Sequence, residues 1–222
     1  MENYSLLQVE SLGVTARGRD IVRDVSFSIT SGQTFCLVGE SGSGKTTTSL
    51  ALMGLLSKKR GFATTGKAHF EGKDLLQLSD SGWQGIRGCG ISMVFQDPTA
   101  SLNPIFTIGD QIREMFEVHT CMSEEEAEAK TIEALVRVGL AGLHNPFETY
   151  PHQLSGGMKQ RVMIAMALCL EPKLLIADEP TSALDLTVQK DILMLLKSYQ
   201  GALLLITHDF GVVAEMADTV AV

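Results

Sequence analysis

Residues 39–46 read GESGSGKT, directly after the apolar run TFCLV and directly before TTSLALM. The segment matches G-x-x-x-x-G-K-[ST], and a strand before it with a helix after it turns that pattern into a phosphate-binding loop. Gly39, Gly42 and Gly44 let the backbone aim its amides at anionic oxygens. The helix opening behind them adds about half a positive charge, and Lys45 brings a whole one. The predicted phosphate cradle is therefore Gly39, Glu40, Ser41, Gly42, Ser43, Gly44, Lys45 and Thr46, with Thr47 beside it, and Thr46 is the expected magnesium ligand. Since such a loop works only between a strand and a helix, the chain is constrained to an α/β fold.

The rest of the sequence fits that constraint. With 222 residues, 45% of them hydrophobic, the chain can bury one α/β core plus a modest inserted subdomain. A net charge of −8 argues against binding nucleic acid, which calls for a basic surface. Cys36, Cys89, Cys121 and Cys169 are far apart, with no C-x-x-C pair, and read as reduced thiols packed as small buried hydrophobes. MENYSLLQVE is not a signal peptide, and the longest apolar run, Val162 to Leu170, is far short of a membrane span. A cytosolic chain that reaches a membrane only through partners is expected.

Residues 6–14, 21–29 and 34–39 read as strands, and Val25, Phe27 and Ile29 share one face, as in a half-buried antiparallel sheet. Residues 46–56 read as helix, 66–72 and 90–95 as further strands. From 97 the pattern turns helical, and 97–157 is expected to be a helical subdomain inserted in the core. Its clearest helix, 123–139, opens with Ser123 and Glu126 in capping-box spacing and lines up Ile132, Leu135 and Val136 on one face. A helix over 156–170, an unbroken apolar strand at 173–178, a helix over 187–199 and a strand at 202–207 then describe a parallel sheet covered on both faces. Residues 218–222 begin a last strand.

LLIADEP places Asp178 and Glu179 at the end of an apolar strand, on the carboxyl edge where open α/β sheets bind ligands. Asp178 suits a role at magnesium, and Glu179 suits polarising an attacking water, worth about 10² to 10⁴ in rate. A third segment is harder to place. YPHQLSGGMKQRV, 150–162, puts Ser155, Gly156 and Gly157 at a second anion-friendly helix start, although residues 39–46 already hold this chain's own phosphates.

With these motifs in this order, the sequence resembles the ATP-binding subunits of ABC transporters across essentially its whole length. LSGGMKQR looks like that family's signature, VFQDP like its glutamine loop with Gln96, SALD (182–185) like its D-loop, and ITHD like its switch histidine at His208. The resemblance implies a phosphate-loop NTPase (RecA-like) core with an N-terminal antiparallel β subdomain and an inserted helical subdomain. It implies ATP with Mg²⁺, the metal held near Thr46, Gln96 and Asp178, and hydrolysis by Glu179 with His208 and Gln96. It also answers the question of the second helix start: Ser155, Gly156 and Gly157 would cap the γ-phosphate of ATP held by a second ABC subunit.

QDPTASLNP (96–104) with YPHQLSGGMKQRVMIAMAL is similar to the peptide and nickel importer branch. That implies integral membrane permease subunits, an extracytoplasmic solute-binding protein, a place on the cytoplasmic face of the inner membrane, and a heterodimer in preference to two copies. VMIAMAL and VHTCMS lean toward nickel or metallophore relatives, although His119 and His144 lack ligand spacing. A soluble ABC ATPase acting as a clamp on nucleic acid or the ribosome is the alternative, disfavoured by the acidic charge. Two departures stand out. TARGRD (15–20) has no aromatic residue to stack on adenine, leaving Arg17 or Tyr4 as candidates, and the family's domain usually continues beyond residue 222.

Overall fold

The computed structural model describes residues 5–57, 60–182 and 184–222. β1 (Ser5–Ala16) is the centre of a four-stranded antiparallel sheet, pairing with β2 (Arg19–Thr30) on one side and β4 (Phe62–Phe70) on the other, with β5 (Lys73–Asp74) outside β4. Leu7 and Val9 point inward, and so do Leu12 and Val14. An irregularity between Val9 and Leu12, where Ser11 has φ +47°, resets the alternation. The second sheet is parallel, in the order β6 (Ile91–Val94), β7 (Leu174–Asp178), β8 (Ala202–Thr207), β3 (Thr34–Val38), β9 (Thr219–Ala221).

The apolar runs of β7 and β8 lack alternation because both faces of the parallel sheet are covered. On one face Leu174, Ile176, Leu204 and Ile206 pack with the antiparallel sheet and with α1 (Lys45–Leu52). On the other, Leu175, Ala177, Leu203 and Leu205 pack with the helices that follow β6, β7 and β8. Those after β6 are α3 (Pro98–Ser101), α4 (Ile108–His119), α5 (Glu124–Arg137) and α6 (Gly156–Leu168), preceded in the chain by the short α2 (Asp80–Gln84). α7 (Leu186–Lys197) follows β7, and α8 (Phe210–Met216) follows β8. Among the described residues no helix is long and apolar enough to cross a membrane.

Local differences from the sequence reading have physical causes. α1 stops at Leu52, short of residue 56, because Gly54 turns left-handed (φ +62°) with the Trp83 ring against its Cα. Arg87 stacks on that ring at 4.7 Å and donates to the Met53 carbonyl at 2.8 Å, capping the helix end. The strand expected at 66–72 runs from 62 to 70, and α4 and α8 emerge as helices the sequence reading had not separated. Two of the four cysteines, Cys89 and Cys121, are exposed, so the expectation of four buried thiols holds only for Cys36 and, in part, Cys169.

α5 shows the sharpest correction. The capping box is present, with Glu126 N–H donating to Ser123 Oγ and Ser123 N–H to Glu126 Oε2. The buried stripe, however, is Ala127, Thr131, Ala134 and Leu135, while Ile132 and Val136 are each about half exposed. Small residues face α4 and α6 because they let the helices approach closely, and this turns the larger β-branched side chains outward. Leu135→Ala should therefore cost about 2–5 kcal/mol and Ile132→Ala less than about 1 kcal/mol, as read by chemical denaturation; equal losses would return Ile132 to the core.

Candidate nucleotide-binding site

Four parallel strands end at the same edge, and the residue or two after each end carries the polar chemistry: Gly39 after β3, Gln96 after β6, Glu179 after β7 and His208 after β8. They line a cleft of about 730 Å³ together with the 39–47 loop.

The loop is shaped by left-handed glycines, Gly42 at φ +85° and Gly44 at φ +97°, Gly44 serving as N-cap of α1. A Cβ on Gly44 would press on the Ile21 carbonyl at 2.9 Å, so β2 of the antiparallel sheet and the loop fit only around a bare Cα. Lys45 is buried, and its Nζ donates to the Gly39 and Glu40 carbonyls, each at 2.8 Å. The ammonium is thus pinned across the mouth of its own loop, where an entering phosphate would meet it.

Asp178 is 1% exposed, and its Oδ1 has no hydrogen-bond partner. Burial pushes its carboxyl above the ordinary 3.8, opposed by a hydrogen bond from the Thr46 hydroxyl and by Lys45, and reinforced by the charge of Glu179. An orphaned, dehydrated carboxylate oxygen beside a threonine hydroxyl suits a hard cation that takes oxygen ligands. No cluster of three His, Cys, Asp or Glu side chains that could hold a metal occurs among the described residues. A cation held there would take the rest of its shell from water and phosphate, which is the habit of Mg²⁺.

Glu179 faces the cleft from a left-handed backbone (φ +46°), costly for a residue with a Cβ. Its N–H donates to the Ile206 carbonyl at 2.9 Å, and its own carbonyl accepts from Ser182 N–H and Oγ at 3.1 and 3.0 Å. The carboxylate is braced on both oxygens, with Gln96 Nε2 donating to Oε2 at 3.2 Å and His208 Nδ1 lying 3.1 Å from Oε1. Glu179 is mostly buried and His208 mostly exposed, so the carboxylate is held at the cleft wall with the imidazole on its outer side.

Ser155, Gly156 and Gly157 do not line this cleft. Ser155 Oγ accepts from Met158 N–H at 3.3 Å, an ordinary N-cap for α6. The two glycines differ. A Cβ on Gly157 would meet Val188 of α7 at 2.9 Å, whereas one on Gly156 would meet nothing within 4 Å. Packing within this chain explains the glycine at 157 and leaves the one at 156 unexplained. Of the two candidates for stacking on a base, Arg17 sits in the β1–β2 turn outside the cleft lining, and Tyr4 lies outside the described residues. Ile21 and Phe210, which sequence reasoning passed over, do line the cleft. Ile21 lies near the start of β2, whose inward residues are Val22 and Ile29, and its outward position at the loop follows from Gly44 packing against it.

Every feature of this edge suits a nucleoside triphosphate with a divalent cation, and the fold and site together are those of a phosphate-loop nucleotide-binding domain. Residues 22–182 match the family described as ABC transporter. The chain is 49% identical over 98% of its length to the dipeptide transport ATP-binding protein DppD of Bacillus subtilis (strain 168), of which it covers 67%. It is 47% identical, again over 98%, to the oligopeptide transport ATP-binding protein OppD of the same organism, covering 63%. Among solved structures it superposes with a TM-score of 0.81 and 28% identity on an ATP-binding cassette in a dimeric post-hydrolysis state bound to ADP and Pi, covering 93% of this chain and 89% of that one. It also superposes on cbiO1 from Clostridium perfringens, part of the ABC transporter complex cbiONQ, with a TM-score of 0.78 and 28% identity, covering 97% of this chain and 83% of that one. The chain belongs to the ABC transporter family. It spans about two thirds of the length of the curated relatives it matches.

The upward shift at Asp178 has a signed consequence. The folded state holds that proton more tightly than the unfolded chain, so the stability from the neutral carboxyl is complete below 3.8 and is lost as pH rises through the folded value. Asp178→Asn should leave the Tm of the nucleotide-free protein unchanged or higher while abolishing the Tm increase produced by MgATP. Calorimetry showing a lowered nucleotide-free Tm would contradict the cost of burying a carboxyl with an unpartnered oxygen at this position.

Proposed function

We propose that this chain is the ATP-hydrolysing, nucleotide-binding subunit of a peptide importer, working from the cytoplasmic face of a membrane as one half of a head-to-tail pair with a second ABC subunit. The observation that carries hydrolysis is the bracing of Glu179 between Gln96 and His208 opposite the phosphate loop. Backbone amides of residues 39–47 and Lys45 bind the triphosphate of the substrate ATP. Thr46 and Asp178, with the free oxygen of Gln96, would hold Mg²⁺, which supplies charge neutralisation at the transferring phosphoryl group. Glu179 takes a proton from water as the new oxygen–phosphorus bond forms, the bond to the ADP oxygen breaks, and ADP and inorganic phosphate result. His208, with Nδ1 3.1 Å from one carboxylate oxygen of that base, orients it.

The bare Cα of Gly156, with nothing of its own chain near it, supports a partner's γ-phosphate as the ligand of the α6 start. Binding of ATP then closes the pair, and loss of the bridging phosphate reopens it. Residues 97–157 are proposed to move as a unit that relays closure to the membrane subunits. The loop between α3 and α4 supports this. Gln111, buried, accepts from Asn103 N–H at 2.8 Å and donates to the Asn103 and Phe106 carbonyls at 3.0 and 3.1 Å, fixing a turn on which Ile105 is 74% and Phe106 51% exposed. Two adjacent exposed apolar side chains on a rigid turn fit an apolar partner surface.

The relatives named above carry peptide names, which favours peptides as the solute over nickel or metal chelates, and transport over a clamp on nucleic acid or ribosome. An extracytoplasmic binding protein would deliver that solute to the permease subunits. Glu179→Gln should keep ATP affinity within a few fold while slowing turnover about 10²- to 10⁴-fold, measured as single-turnover phosphate release. Parent-like hydrolysis in that variant would remove Glu179 as the base.

A further inference from the structure

Gln160 lies just inside α6, five residues beyond the Ser155 cap, and is 2% exposed. Its Nε2 donates a 2.7 Å hydrogen bond to the carbonyl of Pro180, twenty residues further along the chain. No part of the phosphate cradle, the metal position or the partner-facing helix start uses this side chain. Pro180 is itself buried, so its carbonyl needs a partner, and Gln160 supplies it.

Pro180 directly follows Glu179, whose left-handed backbone (φ +46°) is strained for a residue with a Cβ and persists only where its surroundings hold it. Two of those holds are local to the edge: Glu179 N–H on the β8 carbonyl of Ile206, and Ser182 closing the turn on the Glu179 carbonyl. The third, from Gln160, comes from a different helix, and it fixes the peptide unit that sets the direction of the turn. The same helix is fastened to α7 by Gly157 against Val188 and by a 2.8 Å Arg161–Asp191 ion pair, so its start cannot shift freely relative to the turn.

We propose that Gln160 is a positioning residue for hydrolysis. By holding the Pro180 carbonyl it keeps Glu179 left-handed with its carboxylate across the phosphate loop. In doing so it locks this chain's own reaction centre to the helix whose start faces the partner's nucleotide. The inference rests on the reading of Glu179 as the base.

The test uses the full-length protein in its complex with partner subunits. Gln160→Met keeps the length of the side chain and loses the donor; Gln160→Glu keeps its shape and places a carboxylate against the carbonyl. Each should lower kcat about 10- to 100-fold, the scale set by small misplacement of a reacting group, with KM for MgATP within about twofold of the parent. In a Glu179→Gln background the same substitutions should lower the residual rate by less than about twofold, because the group they position is already gone. Parent-like kcat in either folded variant overturns the proposal. So does a KM that rises in step with the loss, or an equal fold-loss in both backgrounds. Glu179→Gln alone separates the two failures: if it hydrolyses ATP normally the base assignment falls, whereas stalled Glu179→Gln beside a silent Gln160 variant removes only the positioning role.

Discussion

Two carboxylates in succession at the end of a fully buried strand cannot both be satisfied by strand geometry, and the way this chain separates them organises the edge of the sheet. Asp178 continues the pleat inward, where its Oδ1 is stranded without a donor. Glu179 swings into left-handed backbone and delivers its carboxylate to Gln96 and His208. One acid is thereby left dry with an unpartnered oxygen and the other is braced on both oxygens, with different environments imposed on neighbouring residues, and these environments suit the proposed cation ligand and proton acceptor. The parallel order of the strands makes this possible, because β3, β6, β7 and β8 all end on the same edge and bring the loop, the glutamine, the acids and the histidine together.

A phosphate loop and its acids complete only part of the chemistry this chain carries. The start of α6 is an amide-rich end with a bare Cα at Gly156, yet it stands outside the cleft. Helix ends of this kind favour anions because their first N–H groups have no intrahelical acceptor. If the second set of amides meets a neighbour's nucleotide, as proposed, each chain is half of two reaction centres. In the proposed function, closure of a pair around two nucleotides would convert phosphate chemistry into movement at the exposed Ile105–Phe106 turn.

Much of this was legible in the sequence because the decisive signals are local. GESGSGKT between a strand and a helix, LLIADEP at the end of an unbroken apolar run, and Ser123 with Glu126 each specify backbone geometry within a few residues. What stayed hidden depends on neighbours distant in sequence. α1 ends at Leu52 because Trp83, some thirty residues on, sits on Gly54. Ile132 and Val136 face outward because α4 and α6 need small residues opposite them. Cys89 and Cys121 looked like core residues by type alone, and burial is a property of place. Gln160 carried no signal beyond its motif, since its partner carbonyl is brought to it only by the fold.

The shared reaction centre can be tested directly by trapping orthovanadate with Mg-ADP in the full-length complex, so that vanadate occupies the γ-phosphate position, and irradiating it to cleave nearby backbone. Cuts are expected in two places along this chain, in the 39–47 loop and at residues 155–157. Cleavage confined to the phosphate loops, with 155–157 intact in every subunit, would show that the second helix start never meets a nucleotide.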